Sequence, residues 1–147
     1  RGLAFRFPLV LHAEPSTRAG RKFARLDEGD EVVTVFPVGD AKFVLAAADD
    51  GHAIAVAIDE LALLSGPGKG TRLIKLADDA SLLAATGAPS PRTNPLVVLT
   101  DKGRRYELFV EALLATRGGR GKPVVKKTGF ASTEHQAIAI PVLQSDD

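Results

Sequence analysis

Three short segments hold the side chains best suited to gripping an anion. Thr17–Leu26 carries Arg18, Arg21, Lys22 and Arg25; Gly66–Leu76 carries Lys69, Arg72 and Lys75; Arg117–Lys127 carries Arg117, Arg120, Lys122, Lys126 and Lys127. Together they hold 12 of the 19 lysines and arginines and no aspartate or glutamate. Each also contains glycine, at Gly20, at Gly66, Gly68 and Gly70, and at Gly118, Gly119 and Gly121. Glycine lets backbone N–H groups approach an anion closely, while Arg and Lys add charge and directional donors. Phosphate is the ligand that suits this chemistry. Such contacts read no base edges, so the expected binding is sequence-independent, salt-sensitive and able to bend a duplex along a curved rim. With about half of the loop cations on phosphates, log K should fall against log salt with a slope of roughly −5.

Other chemistries fit less well. Gly66-Pro67-Gly68-Lys69-Gly70-Thr71 has a superficial likeness to a nucleotide-binding P-loop. That motif needs Lys directly before Ser or Thr and a helix after it, whereas Lys69 precedes Gly70 and strand-like Leu73–Leu76 follows. His12, His52 and His135 occupy different places in the chain and have no paired carboxylate at metal-ligand spacing. Asp49-Asp50 and Asp78-Asp79 are typed as turn residues chosen for local hydrogen bonding, with a second role in repelling a polyanion from the wrong face. No catalytic residue, cofactor site or metal site is expected.

What must position the basic segments is a unit spelled three times. Gly51–Val56, a link with Glu60-Leu61, the Gly66–Gly70 loop and Leu73–Leu76 form the clearest copy. Gly2–Phe7, Glu14 and Arg18–Leu26 precede it; Gly103–Leu108, Glu111 and Arg117–Lys127 follow. The leading glycines 2, 51 and 103 and the loop glycines 20, 70 and 121 stay in phase at about 50 residues, a period typical of propellers and arrays. Equivalent loops around an axis would gather the cations into a band on one rim.

Strand patterns are expected at residues 2–10, Phe23–Leu26, Val32–Phe36, Lys42–Ala47, Gly51–Val56, Leu73–Leu76, Leu82–Ala85, Leu96–Leu99 and Gln136–Val142, the last as the counterpart of Val32–Phe36. Asp49-Asp50-Gly51 has hairpin-turn chemistry, and the three prolines of Gly87–Pro95 bar that stretch from a central strand. Only Ile58–Leu64 and Val110–Thr116 have plausible helical spacing. The expected fold is all-β: a propeller-like array of three units, about 1–39, 40–88 and 89–143, within a single domain or fragment spanning 1–147. The first unit lacks the strand that should precede Arg1-Gly2, the counterpart of Lys42–Ala47; either the chain is a piece of a longer polypeptide or Ala137–Val142 closes the array.

Composition is ordinary for a globular protein, with 45% hydrophobic and 25% charged residues and a net charge of +1. The absence of cysteine excludes disulfides and thiolate metal sites and fits a reducing cytoplasm. No apolar run reaches the 18 or so residues needed to span a bilayer.

The repeated pattern resembles the C-terminal domain of the A subunit of bacterial type IIA topoisomerases, gyrase A and topoisomerase IV A. It is carried by Thr100-Asp101-Lys102-Gly103 with Arg117–Gly121, by Gly66–Gly70 with Asp78-Asp79, and by Arg18–Gly20 with Glu28-Gly29-Asp30. The resemblance implies a β-pinwheel of partial or open-ring form that binds duplex DNA without catalysing anything itself. It implies presentation of a DNA segment to a cleavage core for supercoil control or decatenation. Implied partners are double-stranded DNA, the remainder of the A subunit and the ATPase B subunit, in the cytoplasm at the nucleoid and with no membrane role. Gyrase A carries a Q-R-R-G-G-K-G box; Ala115–Gly121 is its nearest match but lacks the leading Gln and first Arg, which is closer to the topoisomerase IV form. In such enzymes an Arg-Tyr pair in another domain cleaves DNA, but Tyr106 sits three residues after its repeat glycine, as Phe5 and Ile54 do, so a core role is expected. The alternative is a propeller-like protein-interaction module whose basic loops are solvated and have no DNA role.

Overall fold

The computed structural model describes residues 1–15, 17–126 and 128–134. Its strands are β1 (Leu3–Ala4), β2 (Phe43–Ala48), β3 (His52–Ala57), β4 (Thr71–Arg72), β5 (Leu82–Ala88), β6 (Leu96–Thr100), β7 (Arg105–Leu108), β8 (Lys122–Pro123) and β9 (Phe130–Thr133). They form three sheets, ordered β1-β4, β5-β2-β3-β8 and β7-β6-β9, with every pairing antiparallel. Helix among the described residues is confined to single turns at Leu9–His12, Ile58–Glu60 and Val110–Leu113. The all-β expectation holds, and the two segments with helical spacing yield one turn each.

The central sheet is built on the β2–β3 hairpin. Asp50 Oδ1 accepts the His52 N–H at 3.0 Å, and Asp49 Oδ1 accepts the Ser81 N–H at 2.9 Å, so the two carboxylates organise the turn and tie β5 to it. Strand alternation then splits the side chains between two cores. Leu45, Ala47, Ala53 and Ala55 pack with Leu96, Val98, Leu108, Val110, Leu113 and Phe130 of the third unit. Val44, Ala46, Ala48, Ile54 and Val56 pack with Leu61, Leu73 and Ile74, against which Ala4, Phe36 and Leu76 also rest. A sheet covered on both faces needs continuous apolar runs, and Phe43–Ala48 and Ala53–Val56 supply them.

The sheets do not coincide with the units. β4 of the second unit pairs with β1 of the first, Leu3 opposite Arg72 and Ala4 opposite Thr71. β8 of the third pairs with β3 of the second, His52 opposite Pro123 and Ala53 opposite Lys122. Parallel bridges repeat the exchange, Arg6 with Leu63 and Ala55 with Leu114. The second and third basic segments therefore complete the sheets of the units before them.

Several expected strands are shorter or absent. Residues 2–10 give only β1 and the Arg6 bridge, and Phe23–Leu26 gives one bridge, at Ala24. Val32–Phe36 forms no ladder, and Val32, Val33 and Val35 are exposed. Leu73–Leu76 is no strand either; Leu73 and Ile74 are fully buried where the chain bends around Gly2, both N–H groups donating to its carbonyl. Beside β6, β9 pairs Phe130 with Thr100 as β5 pairs Leu82 with Ala48 beside β2; the strand expected at Gln136–Val142 is not among the described residues. Residues 135–147 lie outside the described residues.

Candidate nucleic-acid interface

Neighbouring basic segments are stitched together through their backbones. Arg25 N–H donates to the Gly68 carbonyl at 2.9 Å, joining the first to the second. Fifty residues on, Lys75 N–H donates to the Gly119 carbonyl at 2.8 Å, joining the second to the third, and Gly118 N–H adds a bond to Leu73 O at 2.9 Å. Arg117 Nη1 reaches across to the Arg72 carbonyl at 3.1 Å. At the other end Arg21 and Lys22 share a cleft of about 490 Å³ with Ser65, Gly66 and Pro67 of the second segment. Side-by-side placement of the three loops is thus a property of the strand exchange.

Two of the loop glycines owe their identity to that exchange as well. Gly70 and Gly121 have φ of +80° and +75°, and a Cβ on either would collide with a carbonyl of the preceding unit, Ala4 O and Ala53 O respectively. Glycine is required there by backbone packing, whether or not an anion is present.

The twelve expected contact residues divide by partner. Arg18, Lys22, Arg25, Arg72, Lys75, Arg120 and Lys126 are exposed, and their side chains make no hydrogen bond or ion pair among the described residues. Arg21 donates to the Leu11 carbonyl. Lys122 Nζ donates to Ala112 O at 2.8 Å, and Arg117, half-buried, also has its N–H on Glu60 Oε1 at 3.3 Å. Lys69 is paired with Asp27. Lys127 lies outside the described residues.

Carboxylates do enter the track, although the basic segments themselves contain none. Asp27 bonds Lys69 and lies 3.2 Å from Arg1 Nη1. The Lys69 hydrogen bond, with the charge behind it, holds the Asp27 carboxyl below its ordinary value. Glu60 is the second, and its presence in the link of the repeat unit was the available signal.

Beside the loops, Arg104 and Arg105 each have a neighbouring partner. Arg105 pairs with Glu107 at 2.8 Å and Glu134 at 3.2 Å, whose hydrogen bonds push its pKa up. The Arg104 guanidinium lies 5.3 Å from the centre of the Tyr106 ring. That ring is half-buried, packs on the core and sits 6.1 Å from Phe130, which agrees with the core role expected of it. His52 Nδ1 lies 3.2 Å from Asp50 Oδ1, which accepts the His52 N–H, and itself makes no hydrogen bond among the described residues. Among the described residues no cluster of three or more His, Asp and Glu could hold a metal ion, and no helix is long and apolar enough to cross a membrane.

A family model described as DNA gyrase C-terminal domain, beta-propeller, matches residues 1–39 and 49–86, more than half of the chain. The chain belongs to that family. Among solved structures, the crystal structure of the C-terminal domain of DNA topoisomerase IV superposes with a TM-score of 0.75 at 17% identity, covering 95% of this chain and 44% of that one. The structure of a DNA gyrase A C-terminal domain superposes with a TM-score of 0.64 at 21% identity, covering 88% and 43%. This gyrase-type domain therefore spans less than half the length of the solved domains it superposes on, and at such identities the likeness is one of fold. No curated protein sequence matches it.

Proposed function

We propose that this gyrase-type domain binds double-stranded DNA without reading its sequence and bends it along the joined basic loops. The observation that carries the reading is the repeated bond, Arg25 to Gly68 and Lys75 to Gly119, which sets successive cationic loops edge to edge. Seven exposed cations of these loops make no side-chain hydrogen bond or ion pair among the described residues. Family membership supports a place in a type IIA topoisomerase A subunit, with cleavage chemistry and ATP use in other domains and in the B subunit. In that setting the domain hands a bent DNA segment to the cleavage core, in the cytoplasm at the nucleoid. It is not itself an enzyme and takes no cofactor.

The test is a salt titration of binding to a random-sequence duplex. If about six of the cations meet phosphates, the slope should be near −5, and unrelated duplex sequences should bind alike. Changing Arg72, Lys75 and Arg120 together to Glu should abolish binding while the fold survives. A flat salt response, or binding unaffected by the triple change, would overturn the reading in favour of a protein-interaction module.

A further inference from the structure

One carboxylate sits at the junction where the second and third basic loops meet, on a piece of backbone that is held from several sides. β3 ends in the single turn Ile58–Glu60, and Ile58 and Leu61 on either side of it are buried in the second core. Ile58 N–H donates to the Lys42 carbonyl at 2.9 Å, and Leu61 N–H to the Ile58 carbonyl at 3.1 Å. From the first unit, Arg6 places both Nε and Nη2 on the Leu61 carbonyl, at 3.0 and 2.9 Å. The backbone around Glu60 is therefore fixed, and the reach of its half-buried side chain with it.

Glu60 Oε1 accepts the N–H of Arg117, the residue that opens the third basic segment, at 3.3 Å. The Arg117 guanidinium turns back to the Arg72 carbonyl at 3.1 Å, Gly118 N–H donates to Leu73 O, and Lys75 N–H donates to Gly119 O. Those three bonds run between the two basic segments. The bond to Glu60 is supplied by a side chain outside both. A carboxylate beside a cationic track repels a polyanion, so on charge alone Glu60 opposes binding. Nine residues after Gly2 stands Leu11, as Glu60 stands nine after Gly51, and a leucine side chain can accept nothing. At that earlier junction the side-chain tie is the Lys69–Asp27 pair instead.

We propose that Glu60 is a positioning residue of the nucleic-acid interface. By holding the Arg117 N–H it sets the third basic loop against the second, and the alignment of Arg120 and Lys126 with Arg72 and Lys75 outweighs the repulsion of its own charge. Resting on the duplex-binding reading, this role concerns how the cations are aligned and not how many there are.

The experiment compares the chain with Glu60→Leu and Glu60→Gln, by amide hydrogen exchange and by binding to a random-sequence duplex. Leucine removes charge and acceptor together, whereas glutamine removes the charge and keeps an acceptor oxygen. Exchange at Arg117 and Gly118 should quicken by about tenfold in Glu60→Leu and return toward the original rate in Glu60→Gln, with β2 protected in all three chains as the sign of an intact fold. Duplex binding should weaken by about fivefold in Glu60→Leu, the worth of one net hydrogen bond, and be restored in Glu60→Gln. Binding that tightens or holds in Glu60→Leu would overturn the proposal by reducing Glu60 to an opposing charge. So would equal weakening in both variants, or exchange at Arg117 unchanged by leucine. Absence of duplex binding by the original chain would overturn the duplex-binding reading and, with it, the gain in affinity assigned to Glu60, leaving exchange at Arg117 to report the loop contact alone.

Discussion

Residues 82–88 and 32–38 hold the same place in successive units, fifty residues apart, and only the first is a strand. Leu82–Ala88 lies against β2 along its whole length, from Phe43 opposite Ala88 to Ala48 opposite Leu82. Val32–Val38 has the better β-propensity of the two, with four valines, and yet makes no ladder. Intrinsic preference for an extended backbone is worth a few tenths of a kcal/mol per residue, whereas a strand is defined by the neighbour that takes its hydrogen bonds. The lesson is that a unit of this array becomes complete through what adjoining units lend it.

The same contrast separates Ile54 from Phe5, each three residues after its leading glycine. Ile54 is fully buried in a four-stranded sheet, and Phe5 is half-buried. Ile54→Ala should cost about 2–5 kcal/mol by leaving a void in a closed core. Phe5→Ala should cost about 1 kcal/mol, since roughly half of the ring's burial is at stake. Denaturant midpoints would measure both, and equal losses would break the comparison by showing that the first unit is as well packed as the second.

Gly121→Ala should come next, at about 1–3 kcal/mol, because an L side chain at φ +75° is strained and the new methyl meets the Ala53 carbonyl. Gly20→Ala should cost less, at the strain alone, because φ is +74° but nothing lies within 4 Å of the added Cβ. A loss at Gly20 as large as that at Gly121 would mean that the first loop, too, is held against a neighbouring strand.

On the interface the sharper comparison is between two lysines of one loop. Lys75 has no side-chain partner among the described residues, and Lys69 is tied to Asp27. Lys75→Ala should reduce the salt slope of DNA binding by about 0.9, the share of one phosphate, while Lys69→Ala should change it less. Asp27→Asn should steepen the slope by up to about 0.9 by freeing Lys69. No change in slope for Lys75→Ala would remove that residue from the DNA path.

The pH dependence of the same pair is the smallest effect expected. The Asp27 carboxyl is lowered by Lys69, so its contribution to stability is present above the ordinary carboxylate range and is lost as pH falls through the lowered value. Because both groups are exposed, the change in unfolding free energy should be slight, and Asp27→Asn should abolish that acid-range component. Val33→Thr should likewise stay within about 0.5 kcal/mol, as a surface change without a partner.

Much of this protein was written in one dimension. The period of about fifty residues, the Asp49-Asp50-Gly51 turn, the continuous apolar runs of β2 and β3 and the clustering of Lys and Arg are local or nearly local, so composition and spacing report them directly. Strand exchange, the pairing of Lys69 with Asp27, the place of β9 and the failure of Val32–Phe36 to form a ladder were decided in three dimensions. Each depends on contacts between residues far apart in the chain, and a side-chain pattern records that a segment is fit to pair without recording which backbone lies beside it.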